Sequence, residues 1–310
     1  MIKMKERIKD ARPMMDLMAK KIFSNPEITA QFISDILDLP VHHVKILDGT
    51  QIHDHQFEDI KTYVTSIDVL AELNDGTQVI IEIQVAYQFD FIKRLWLYQC
   101  NQVTKNADEH KKEGVETHRL AEEMLPVYSI AIMQKRYFND EEMIHVYCHK
   151  ERKRNDELKV HFKGFEEEQN LSLMGFLELE KYNEDKIEEY KKERWIEFFG
   201  NQPYTQTPEK ILKQADRIVS RIDWTKEERE MYDERTRYIQ AYLGHLASVE
   251  KEKKDAISQA LTEGKAEGIE HGKKMMIISL IKDGLLSKEE GAKRLSISVI
   301  ELDEYMSAEE

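Results

Sequence analysis

Cysteine is scarce in this chain. Only Cys100 and Cys148 occur in 310 residues, and no CxxC pair is present. A disulfide framework is therefore excluded, and two isolated thiols fit a reducing compartment. Long apolar runs are also missing. No window holds eighteen consecutive apolar residues, so no transmembrane helix is expected. The opening stretch MIKMKERIKDARPMMDLMAKKIF carries charge but no uninterrupted apolar segment, so no signal peptide is expected either. A cytoplasmic protein is the expectation. Basic excess is lacking as well: 46 Lys and Arg face 60 Asp and Glu, a net charge of −14. The global field does not steer such a chain to nucleic acid, so any contact with it needs local cations or a bound metal. Gly-rich phosphate loops, GxSxG elbows and HExxH are all absent.

What is present is a polar globular chain, 41% hydrophobic and 34% charged, which points to long exposed helices. Residues 12–24 place Met15, Met18, Ala19, Ile22 and Phe23 at helical spacing. NPEITAQFISDILDLP predicts a second helix, with Asn25 as cap, Pro26 at the first position and Pro40 as stop. A strand and loop follow to Tyr63, then the hairpin SIDVLAELNDGTQVIIEIQV. FIKRLWLYQCNQVTKNADEHK reads as a helix. LPVYSIAIM, MIHVYCH, ELKVHFKGF and LSLMGFLELEKY read as strands, and from Asn183 the chain reads as helical. Glycines 264, 268 and 272 recur every four residues in charged sequence. They predict a loose helix or linker, or a stripe for helix–helix contact in an oligomer. SKEE and SVIE match the capping-box pattern in a tail that resembles a helix-turn-helix. Glu301, Asp303 and Glu304 make its last helix too acidic for DNA reading, which favours packing or oligomerisation.

The hairpin poses the central question. Ile67, Val69, Ala71 and Leu73 share one face of the first strand. Val79, Ile81, Ile83 and Val85 share one face of the second. A three-residue loop Asn74-Asp75-Gly76, with Gly76 left-handed, puts all eight on one side of the sheet. That register sets Asp68 directly opposite Glu82, with about 5 Å between their Cβ atoms. Like charges so placed repel. Either water tolerates the repulsion on an exposed face, or a hard cation such as Mg²⁺ offsets it.

These residues resemble the PD-(D/E)xK nuclease superfamily, and within it the recombination-promoting nuclease (PD-(D/E)xK transposase) group. The resemblance rests on DLMAKKIFSNPE with Asp16, Lys20 and Phe23, on the central hairpin with Glu-x-Gln in place of Glu-x-Lys, and on FIKRLWLY with Arg94 and Tyr98. LPVYSIAIM and the segment around Trp195 extend it over most of the chain. It implies an α/β fold, a restriction-endonuclease-like mixed β-sheet flanked by helices, over residues 1–200. A helical extension with the glycine-spaced linker (201–274) and a small helical tail (275–310) would follow.

The resemblance also implies a metal-dependent DNA endonuclease using Mg²⁺, with Mn²⁺ or Ca²⁺ as alternatives. Asp68 and Glu82 would hold the metal, with Asp16 as a further acid. Gln84 would stand at the catalytic lysine position, where a neutral amide can only hydrogen-bond. Arg94, Lys20 and Lys61 would meet substrate phosphate. The alternative is a catalytically weak or inactive module that binds DNA or protein and forms homo-oligomers through its C-terminal helices. Action on RNA stays open. His53 and His55 would need further ligands to form a metal site, and the basic stretch HKERKRND reads as a charged loop.

Overall fold

In the computed structural model, residues 12–48, 50–53, 63–221 and 224–307 are described. The chain begins with α1 (Asp16–Phe23) and α2 (Pro26–Leu37), then β1 (Val44–Leu47) and the short β2 (Thr50–His53) and β3 (Tyr63–Ser66). The hairpin follows as β4 (Val69–Leu73) and β5 (Gln78–Gln84), then α3 (Phe91–Lys112), α4 (Leu120–Glu123) and β6 (Val127–Met133). Next come β7 (Ile144–Cys148), β8 (Lys159–Val160), β9 (Gln169–Asn170) and β10 (Leu173–Glu178). Helices α5 (Tyr190–Phe199), α6 (Lys210–Val219), α7 (Lys226–Lys282), α8 (Lys288–Leu295) and α9 (Val299–Ser307) complete it. The expected strand ELKVHFKGF shrinks to the two residues of β8. Phe162 beyond them is buried, but by packing rather than by pairing in a ladder.

Six strands form one mixed sheet in the order β1-β4-β5-β6-β10-β7. β5 lies parallel to β6, and β6 to β10, while both edges are antiparallel. Helices cover both faces, as the apolar runs of β5 and β6 require, since every residue of β6 is buried. On one face α3 sets Phe91, Leu95 and Tyr98 over Leu70, Ile80, Ala131 and Met133. On the other lies α2, so close that a Cβ on Gly175 would meet Ile36 and Leu37 at 3.2 and 3.3 Å.

The N-terminal helices obey their sequence signals. Asn25 caps α2, its side-chain oxygen accepting from the N–H groups of Glu27 and Ile28. Met18, Ala19, Ile22 and Phe23 of α1 are fully buried. The Phe23 and Phe32 rings pack at a tilt with centroids 5.0 Å apart, and Trp195 of α5 meets Phe32 edge-on at 5.2 Å. Asp35 fixes this junction: fully buried, it accepts from Trp195 Nε1 at 2.8 Å and from Arg194.

Two units divide the chain, residues 1–232 and 233–310. In the second, the glycine-spaced segment is helical and belongs to α7, and a Cβ on Gly264, Gly268 or Gly272 would meet nothing within 4 Å. Ile278, Ala292 and Leu302 form a small core where α7, α8 and α9 meet. Gly291 allows the close approach, since a Cβ there would lie 2.5 Å from Ile281 Cδ1. Ser287 caps α8, and Ser298 and Glu301 bond reciprocally at the start of α9. Left-handed Ser296 (φ 57°) makes the turn between them.

Candidate active site

The hairpin adopts the register that gathers its apolar residues. Val69 pairs with Ile81, Leu70 with Ile80 and Ala71 with Val79, and Leu73 N–H donates to Thr77 O at 2.8 Å. Gly76, at φ +88°, closes the three-residue loop. One step beyond the Val69–Ile81 pair, Asp68 and Glu82 meet across the strands. Asp68 N–H donates to Glu82 Oε1 at 3.1 Å, and Ile83 N–H donates to Asp68 Oδ2 at 2.9 Å.

The face carrying the dyad is not open to water. It is the α3 side of the sheet, and Glu82 and Gln84 are each only 5% exposed, while Asp68 is half-buried. Tolerance of the repulsion by bulk solvent is therefore ruled out for Glu82. Its carboxyl is pushed up to about 8, chiefly by burial and then by the Asp68 charge, against the opposing pull of the Asp68 N–H, Arg94 and Lys20. Burial and the neighbouring Asp68 charge thus favour the protonated form of Glu82.

Three cations were expected here. Lys20 Nζ, on α1, lies 3.8 Å from Asp68 Oδ1. Arg94, on the first turn of α3, donates to Gln84 Oε1 at 2.9 Å and to Gln88 Oε1. Its guanidinium is thus held by two neutral amides rather than by a carboxylate. Gln84 in turn donates to Ala86 O. Lys61, His55 and the side chains of Asp16 and His53 lie outside the described residues. In HKERKRND, a charged loop, Arg154 pairs with Asp156 at 3.0 Å, and Glu151 accepts from the backbone N–H groups of Lys153 and Arg154.

Two carboxylates with hard oxygen donors fit a divalent ion such as Mg²⁺, which commonly keeps several positions for water and phosphate oxygens. Among the described residues, no third His, Cys, Asp or Glu joins the dyad. The cluster of three that does occur is Asp140, His145 and Glu178. There, Lys181 Nζ lies 2.6 Å from Glu178 Oε2 and 2.8 Å from Asp140 Oδ1, so an ammonium already supplies the cation. Glu178 Oε1 accepts from the N–H groups of Tyr137 and Phe138 at 2.5 and 3.1 Å, which makes the cluster a brace for the loop after β6.

Two residues at the site carry no sequence signal. Gln88 bonds Arg94, and its N–H donates to Tyr137 Oη at 2.8 Å. Both lie in loops, where no periodicity marks a side chain as pointing to a site.

The family whose model matches the chain is described as PD-(D/E)XK nuclease family transposase, over residues 13–243. None of the curated proteins and none of the solved structures matches it.

Proposed function

The chain belongs to the PD-(D/E)XK nuclease family transposases, and from that premise we propose that it is a metal-dependent DNA endonuclease whose site is the Asp68–Glu82 dyad. The observation that carries this reading is the burial of Glu82 beside Asp68, two carboxylates held side by side with their oxygens fixed by backbone N–H groups. Asp68 and Glu82 would hold the ion, with Mg²⁺ as the proposed species. When bound, it lowers the pKa of a water and offsets charge developing on phosphate.

The chain's own groups supply the rest. The Asp68 and Ile83 N–H bonds fix the two carboxylates against rotation, so the oxygens are oriented before anything binds. Gln84 takes the place of the superfamily's lysine and cannot supply its charge. Lys20, beside Asp68, supplies an ammonium from α1 instead and meets the substrate phosphate. Arg94 positions Gln84 and adds positive potential at the end of β5.

A second reading has one observation in its favour. The Gln84 amide is engaged on both sides, by Arg94 and by Ala86 O. A polar group so occupied suits a binding module with little catalytic power. The exposed apolar side chains of α7, among them Tyr242, Val249, Ile257 and Leu261, fit self-association in either case. No helix among the described residues is long and apolar enough to cross a membrane.

Supercoiled plasmid incubated with the protein in Mg²⁺, Mn²⁺, Ca²⁺ or EDTA separates the two readings. Nicking that needs metal and is lost in Glu82→Ala is the expected result. Absence of cutting in every metal would favour the binding module, and equal cutting by the variant would overturn the dyad as the cutting site.

A further inference from the structure

The loop joining β5 to α3 displays aromatic rings that the core does not use. Phe89 is 79% exposed and Tyr87 56% exposed. The loop itself is held from several directions. Arg94 ties Gln88, the residue between these two rings, to Gln84 of the candidate site. The Tyr137 ring stacks on Tyr87 with centroids 4.6 Å apart, and its hydroxyl accepts from Gln88 N–H at 2.8 Å. Tyr137 is fixed in turn by its own N–H to the buried Glu178 carboxylate. Lys93 Nζ lies 5.6 Å from the Phe89 ring centroid.

An apolar ring left in water on a braced loop is an unspent binding surface, and its surroundings say what it binds. Arg94, held by two neutral amides, keeps its positive charge beside the rings, and Lys93, paired with the exposed Asp90 at 3.1 Å, can exchange that surface partner for a phosphate in a chain of net charge −14. The rings offer faces rather than hydrogen-bond donors. Paired bases in a duplex present only their edges in the grooves. A base face is available to an aromatic side chain only where the strand is unpaired, and stacking there is strong and tolerant of sequence.

We propose that Tyr87 and Phe89 form a stacking platform for unpaired bases of single-stranded DNA beside the scissile phosphate. The proposal rests on the reading of Asp68 and Glu82 as the cutting site. It assigns that site a substrate class, single strands or locally opened duplex, ahead of intact duplex. Lys93 and Arg94 track the backbone while the rings hold the bases.

Binding of a fluorescein-labelled single strand and of its duplex, measured by anisotropy in Ca²⁺, tests this apart from catalysis. The parent protein is expected to bind the single strand more tightly. Phe89→Ala is expected to weaken single-strand binding by about tenfold, the effect of losing one base–aromatic stack, and to leave duplex binding within about twofold. Phe89→Trp restores it. A 2-aminopurine placed in the strand is expected to change in fluorescence on binding the parent and not on binding Phe89→Ala. Because Phe89 is exposed, the variant is expected to melt with the parent, which keeps a folding defect from imitating the result. Tighter binding of the duplex, no binding of single strands, or single-strand binding unchanged in both Phe89→Ala and Tyr87→Ala would overturn the platform. A parent that binds single strands through Phe89 yet cuts no DNA in any metal would refute the nuclease reading and leave the platform standing.

Discussion

Asp68 and Glu82 each hold the other's strand: the Asp68 N–H donates to Glu82 Oε1, and Asp68 Oδ2 accepts from the N–H of Ile83, next to Glu82. Two carboxylates that would repel in isolation are thus locked into one orientation by the backbone that carries them. The hydrogen bonds offset part of the repulsion, and burial raises the remainder. A group so placed is poorly suited to stability in the absence of a cation and well suited to binding one.

Replacing the charge should therefore stabilise the metal-free fold. Glu82→Gln is expected to melt roughly 2–4 °C above the parent in EDTA, the shift that about 1 kcal/mol gives at this size. The same variant should lose the rise in melting temperature that Mg²⁺ gives the parent. Parallel thermal melts with EDTA and with Mg²⁺ check both halves. A variant less stable than the parent in EDTA would show that the ionised dyad is not under strain.

The pH dependence follows from the same carboxyl, raised from an unfolded value near 4.5 to about 8. Between those limits the folded state binds more protons than the unfolded one, so this group's contribution to stability falls as pH rises. It is fully present below about 4.5 and lost on passing about 8. Urea midpoints in EDTA from pH 5 to 9 should decline more steeply for the parent than for Glu82→Gln. Mg²⁺ competes with the proton, so its affinity should climb across the same window.

Gly76 sets the register that brings the dyad together. It sits at φ +88°, and a Cβ there would approach Leu125 Cδ1 to 2.9 Å. Gly76→Ala is expected to cost about 1–3 kcal/mol from backbone strain, read as a lower urea midpoint. Metal binding should weaken with it, because Asp68 and Glu82 face each other only in this pairing.

The buried junction of α2 and α5 makes a prediction about stability alone. Asp35 takes Arg194 and Trp195 Nε1, and both charged side chains are almost wholly buried. Asp35→Ala removes the buried partner of the Arg194 guanidinium and leaves it the exposed Glu209 carboxylate at 2.8 Å. A loss of about 3–5 kcal/mol is expected, measured by urea denaturation, with a variant that still folds retaining its Mg²⁺ response.

Much of this was open to reading in one dimension. The Asn25 cap, the hairpin register and the capping box at Ser298 follow from short-range rules, and each involves residues within a few positions or a strict two-residue alternation. The pairing of Asp68 with Glu82 was legible for the same reason: only one register puts eight apolar side chains on one face. The two-residue β8 escaped because ELKVHFKGF has strand-like alternation but no neighbour offering a longer ladder.

By itself, then, the sequence determined which residues alternate, which cap and which two acids meet, because local geometry dictates those relations. Only the tertiary structure decided that α3 seals the dyad's face from water, that Arg94 is shared between Gln84 and Gln88, and that Lys181 fills the Asp140–His145–Glu178 cluster. Each of these depends on elements far apart in the chain packing against one another. Burial is a property of what covers a residue, and the covering helix cannot be read from the strand it covers.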